Sequence, residues 1–122
     1  MGYDAIAYRV KRNGNLGDCV SRETMTRAEK NWFTRASNKV QKICGSVDYG
    51  LDQGFLDCRV CGEHLNRWLG TDINDVETPI TTERIKHNPI CLENLETDRE
   101  RHSVKMFLEG CQKFGYAVKN VW

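Results

Sequence analysis

The chain's sharpest chemical pattern is Cys58-Arg59-Val60-Cys61-Gly62. Two thiolates at this spacing take two corners of a Zn²⁺ tetrahedron, and a following glycine eases the tight turn that such a knuckle requires. His87 and Cys91 add an H-x-x-x-C pair of the borderline-soft donors that zinc prefers. Cys58, Cys61, His87 and Cys91 are therefore the candidate metal set, with Cys44 or His64 as substitutes; core cysteines and no cofactor are the first expectation, and zinc is the one cofactor the sequence leaves open. A second C-x-x-C is absent. The competing reading is periodic: Cys58, Cys61, Leu65, Trp68 and Leu69 recur at three- and four-residue steps, so on a helix both thiols face the core as small hydrophobes. A redox dithiol needs a low-pKa thiol at a helix start after a buried strand, and residues 53–57 supply no such strand.

Downstream of this C-x-x-C-G, His87, Asn94 and His102 resemble in their order the His–Asn–His of the ββα-metal endonucleases. The resemblance covers Cys58 to His102. It implies that His87 would activate water, Asn94 would fix the loop and His102 would help to hold a divalent cation. The chain departs from that pattern in three ways: the paired Asp/His-His start is missing, His87 and Asn94 are close together, and no second C-x-x-C surrounds His102. The plainer reading makes Asn94 a loop amide and His102 a surface imidazole. Phosphate-cradling, nucleophile-elbow and H-E-x-x-H patterns are absent, so the common hydrolase chemistries have no motif.

Composition fits one globular domain over residues 1–122. Of these, 39% are hydrophobic and 29% are charged, and a chain of this length builds a core from apolar side chains alone. Six cysteines in 122 residues fall below the roughly 8–10% of small disulfide scaffolds, so a reducing, cytoplasmic setting is expected. No run nears the roughly 18 apolar residues of a membrane helix, and a membrane role is not expected. The net charge of +1 conceals segregation: residues 1–44 hold nine Lys/Arg against four Asp/Glu, residues 45–98 hold four against eleven, and residues 99–122 hold five against two. Such blocks either attract one another within the fold or present charged surfaces to partners.

The elements that must position these residues follow from pattern. Ile6, Tyr8 and Val10 alternate with Ala5, Ala7 and Arg9, as in a strand with one buried face, and Asn13-Gly14-Asn15 makes a turn. Thr26 and Glu29 have capping-box spacing. Ala28, Trp32, Ala36, Val40 and Ile43 recur at helical steps, which predicts an amphipathic helix over 27–44 that ends at Gly45. Cys58 onward reads as a second helix stopping at Gly70. Thr97 with Glu100 opens a third, over 98–114, with Val104, Phe107, Leu108, Cys111 and Phe114 inward and Gly115 at its end. Tyr116 to Trp122 reads as a terminal strand. The expected fold is α+β: N- and C-terminal strands in one antiparallel sheet, with about three helices packed on it.

The function expected from this reading is that of a non-enzymatic binding protein that covers a macromolecular partner, as small inhibitors of phage or mobile-element type do. Its contact residues would be Arg27, Lys30, Phe33, Arg35 and Lys39 on the basic helix, with Phe33 at the edge of the apolar stripe and Trp32 in the core, and Asp72, Asp75 and Glu77 in the acidic loop. A protein partner ranks first. Nucleic acid gripped by the helix over 27–44 is the alternative, although the pI of about 7.6 is below what a dedicated nucleic-acid module carries. A zinc-stabilised module and a small-ligand binder, for which the sequence offers no pocket residues, complete the readings.

Overall fold

Thr26 and Thr97 start the two long helices, and Gly45 and Gly115 end them. In the computed structural model, which describes residues 4–47, 49–50, 54–59, 83, 92 and 95–121, helix α1 spans Arg27–Cys44 and helix α2 spans Asp98–Phe114. The Thr26 hydroxyl accepts from the Glu29 amide while the Glu29 carboxylate accepts from the Thr26 amide, so two orphan donors of the first turn are satisfied reciprocally. Thr97 accepts from the Glu100 amide in the same way. Gly45 (φ 85°) and Gly115 (φ 73°) take the left-handed conformation that closes a helix.

Five strands form one antiparallel sheet: β1 (Asp4–Val10), β2 (Leu16–Cys19), β3 (Tyr49–Gly50), β4 (Asp57–Cys58) and β5 (Ala117–Val121). On one side of β1, residues Asp4–Tyr8 pair in unbroken register with Val121–Ala117. On its other side β2 and β4 lie end to end: Tyr8 and Val10 pair with β2, and Ala5 and Ile6 pair with β4. Ala7 sits at their junction, donating to the Leu56 carbonyl and accepting from the Val20 amide. The segment that carries α1 is thus inserted into a broken strand. Its neck is closed by the Ser21–Phe55 bridge and by the Arg22 amide donating to the Gly54 carbonyl.

Both helices pack on the same face of this sheet. The alternation in β1 is as the sequence predicts, but the face that joins the helical core is Ala5 and Ala7 rather than Ile6, Tyr8 and Val10, and Val10 is exposed. The reason is steric: small residues in the central strand let Phe33, Phe107 and Leu108 of the helices fill the space above it. α1 and α2 in turn approach closely at Gly110. A Cβ there would lie 2.7 Å from Phe33 Cε1 and 2.8 Å from Trp32 Cζ3, so only glycine fits.

The α+β class and the pairing of N- and C-terminal strands follow the sequence reading. The helix count does not: two long helices, not three, lie among the described residues. The helix expected from Cys58 begins instead as strand β4, because Cys58 pairs with Ala5 on one side and Tyr49 on the other. Residues 60–70 of that expected helix lie outside the described residues. No helix among the described residues is long and apolar enough to cross a membrane.

Candidate functional site

The buried stripe of α1 is Glu29, Phe33, Ala36 and Val40, not the expected Ala28, Trp32, Ala36, Val40 and Ile43. Ala28 and Ile43 are exposed and Trp32 is half-buried. This turns over one expectation outright: Phe33, read as a partner contact at the stripe's edge, is 5% exposed and sits in the core. It packs between Trp32 (ring centroids 4.9 Å), Phe114 (6.1 Å), Tyr49 (6.2 Å) and Tyr116 (6.5 Å).

A buried carboxylate sets that rotation. Glu29 is 4% exposed, and each of its oxygens lies 3.1 Å from the Arg9 guanidinium. It also accepts from the Thr26 amide at 2.8 Å and from the Tyr116 hydroxyl. Arg9 further donates to the Thr24 carbonyl and lies over the Tyr116 ring. Burial opposes ionisation of Glu29, but the Arg9 and Thr26 bonds outweigh it and hold its pKa below the ordinary value. The group is a lock joining β1, α1 and the chain just after α2.

Among the described residues, concavities lie on both flanks of the helix. Between α1 and α2 runs an open groove of about 660 Å³. Trp32, Ala36, Met106 and Phe114 form its floor, and Arg35, Lys39 and Lys113 stand on its rim with one acid, Glu109. The Trp32 ring is held edge-on against Phe33 and Phe114. On the other flank, between α1 and β3, is a smaller cavity of about 230 Å³ walled by Met25, Phe33, Leu56, Ser37 and Tyr49, with Lys30 beside them. Tyr49 is 6% exposed, and among the described residues its hydroxyl makes no hydrogen bond. Burial pushes the phenol up to about 12, partly offset by the nearby Ser37 hydroxyl, so Tyr49 is a neutral donor.

The expected contact residues are thereby sorted. Arg27, Lys30, Arg35 and Lys39 are all exposed, but they do not make one basic patch. Five residues at 3.6 per turn put Lys30 about 140° around the helix from Arg35, so Lys30 joins the small cavity while Arg35 and Lys39 join the groove. Asp72, Asp75 and Glu77 lie outside the described residues.

Of the candidate metal set only Cys58 is described. It is fully buried in β4, and Cys61, His87 and Cys91 lie outside the described residues. Among the described residues no three His, Cys, Asp or Glu side chains converge as metal ligands would. Cys111 is core, as its place in the stripe predicts. Burial, and then nearby Cys58, push its thiol far up, which makes it inert as a nucleophile. Of the His–Asn–His order, only His102 is described, half-buried near the start of α2.

Sequence reasoning missed Met106, Glu109, Lys113 and Tyr49. The first three were legible as the flank of α2, but nothing in the sequence pairs that flank with α1. Tyr49 stands in what reads as a loop, and no local pattern marks it. Protein-family models, curated proteins and solved structures yield no match to this chain.

Proposed function

We propose that the chain is a non-enzymatic binding protein that docks an acidic, amphipathic segment of a partner protein in the groove between α1 and α2. The observation that carries this reading is the pairing of an apolar floor, with half-buried Trp32 at its centre, and a rim of three cations against one acid. A helix laid in such a groove anchors through apolar side chains at i, i+3, i+4 and i+7, and its flanking carboxylates meet Arg35, Lys39 and Lys113. Ala28 to Lys39 runs about 16 Å along α1, enough for about three turns of a bound helix. An inhibitor of the type expected from the sequence would act in this way, by occupying an acidic surface of its target. Nucleic acid fits less well, because the basic residues of α1 divide between two flanks and the Trp32 ring is packed against its neighbours rather than free to stack.

Peptide display against the full chain tests the reading. Selected binders are expected to be amphipathic with acidic flanks. Trp32→Ala and the double reversal Arg35→Glu/Lys39→Glu should each weaken them at least tenfold. Binders that ignore both variants, or that duplex DNA displaces at equal mass, would overturn it.

A further inference from the structure

We infer that Glu109 selects what the α1–α2 groove accepts: a docked segment that carries one basic residue on the edge facing α2, opposite the acids that answer Arg35 and Lys39. The inference rests on the groove being a docking site and adds the charge pattern that the site reads.

The two helices run antiparallel. Arg99, in the first turn of α2, donates to the Ser46 hydroxyl just past the end of α1 at 3.4 Å, while Phe114, the last residue of α2, packs on Trp32 in the second turn of α1. Gly110 lies level with Trp32 and Phe33. The two rims of the groove therefore differ. On the α1 side, Asn31, Arg35 and Lys39 follow one another at four-residue steps, about 6 Å apart along the axis, so that rim is basic from its middle to its far end. Across from Asn31 and Arg35, next to Gly110, stands Glu109.

The ordinary fate of such a carboxylate is an ion pair with Lys113, one turn further on, because Glu preceding Lys by four residues is the favourable order on a helix. Here the Lys113 ammonium instead lies over the Phe114 ring, 5.8 Å from its centroid. Among the described residues Glu109 forms no ion pair, and neither do Arg35 and Lys39. Glu109 is also half-buried. A carboxylate partly withdrawn from water and without a counter-charge is a fixed negative point in the groove wall, and covering it is costly unless the partner brings a cation. A uniformly acidic segment pairs with Arg35 and Lys39 but sets like charge against Glu109. A segment with one Lys or Arg on that edge satisfies all three.

Peptide display run in parallel on the full chain and on its Glu109→Lys variant tests this. Binders selected by the parent are expected to share a Lys or Arg at one fixed step from their apolar anchors, on the edge away from their acids. Exchanging that residue for Glu should weaken binding to the parent about tenfold or more, and Glu109→Lys should restore it. Glu109→Gln keeps the shape of the side chain and should bind the two peptides within about threefold of each other, so the result does not hang on how the lysine variant folds. Parent binders that lose affinity in Trp32→Ala yet share no such base overturn the role of Glu109 and leave the docking site standing. An exchanged peptide that Glu109→Lys binds no better than the parent does has the same meaning. Binders indifferent to Trp32→Ala, or none at all, overturn both.

Discussion

Glu29, one turn before Phe33 on α1, and Tyr49, against the Phe33 ring, are both buried, and the fold treats them oppositely. The carboxylate, the costlier group to bury, has Arg9, Thr26 and Tyr116 on its oxygens. The phenol, the cheaper one, has no hydrogen-bond partner among the described residues. A charge left alone in the core costs about 3–5 kcal/mol, a large share of the stability of a chain of this size, whereas a lone hydroxyl costs about 1–3 kcal/mol. The contrast separates a polar group that ties three elements together from one that is shut away beside the Ser37 hydroxyl.

The largest effect expected on that contrast is at its hub. Phe33→Ala removes the ring on which both flanks rest and should cost about 3–5 kcal/mol in denaturant unfolding. Glu29→Ala comes next, at about 3 kcal/mol, because Arg9 and the Tyr116 hydroxyl lose their shared acceptor. Titration sharpens the point. Since the folded-state pKa of Glu29 is lowered, its contribution is fully present above its ordinary value of 4.5 and is lost as pH falls through the lower folded value. Stability measured from pH 6 down to pH 3 should therefore fall less steeply in Glu29→Gln than in the parent, and an equal slope would show that the lock does not titrate.

Gly110→Ala tests the approach of the helices that frames the groove. Alanine improves intrinsic helix propensity by up to about 1 kcal/mol, but its Cβ would enter the Phe33 and Trp32 rings. Overpacking of that kind costs about 1–3 kcal/mol, so net destabilisation is expected, and a raised melting temperature would contradict the packing. The smallest effect belongs to Tyr49→Phe. With no hydrogen bond to lose, its stability should stay within about 0.5 kcal/mol of the parent or rise. A loss near that of Glu29→Ala would erase the distinction between the two groups.

Much of the fold could be read from local pattern. Thr26, Glu29 and Gly45 bracket α1 at the residues where it begins and ends, and Thr97 and Gly115 do so for α2. Caps are legible because the interacting groups lie within four residues of each other. The alternation in β1 and the terminal strand were legible for the same reason. The candidate sites were far less so. Arg35 and Lys39 were singled out as basic helix residues, yet their place on a groove depends on α2, about seventy residues further along the chain. An apolar count places Ala28 and Trp32 in the stripe and excludes Glu29, so it turns Trp32 inward and Phe33 to the edge, the reverse of the structure.

What the sequence determined by itself is therefore the ends of the helices and the strand alternation, all of which rest on contacts between near neighbours. Which faces those elements turn inward was decided by the tertiary structure. Glu29 can be buried only because Arg9 arrives from 20 residues away and Tyr116 from 87, and no window along the chain contains all three. Once that carboxylate is inside, helical geometry leaves no further choice: Phe33 follows it into the core, Trp32 moves to the groove, and Lys30 and Lys39 part to opposite flanks.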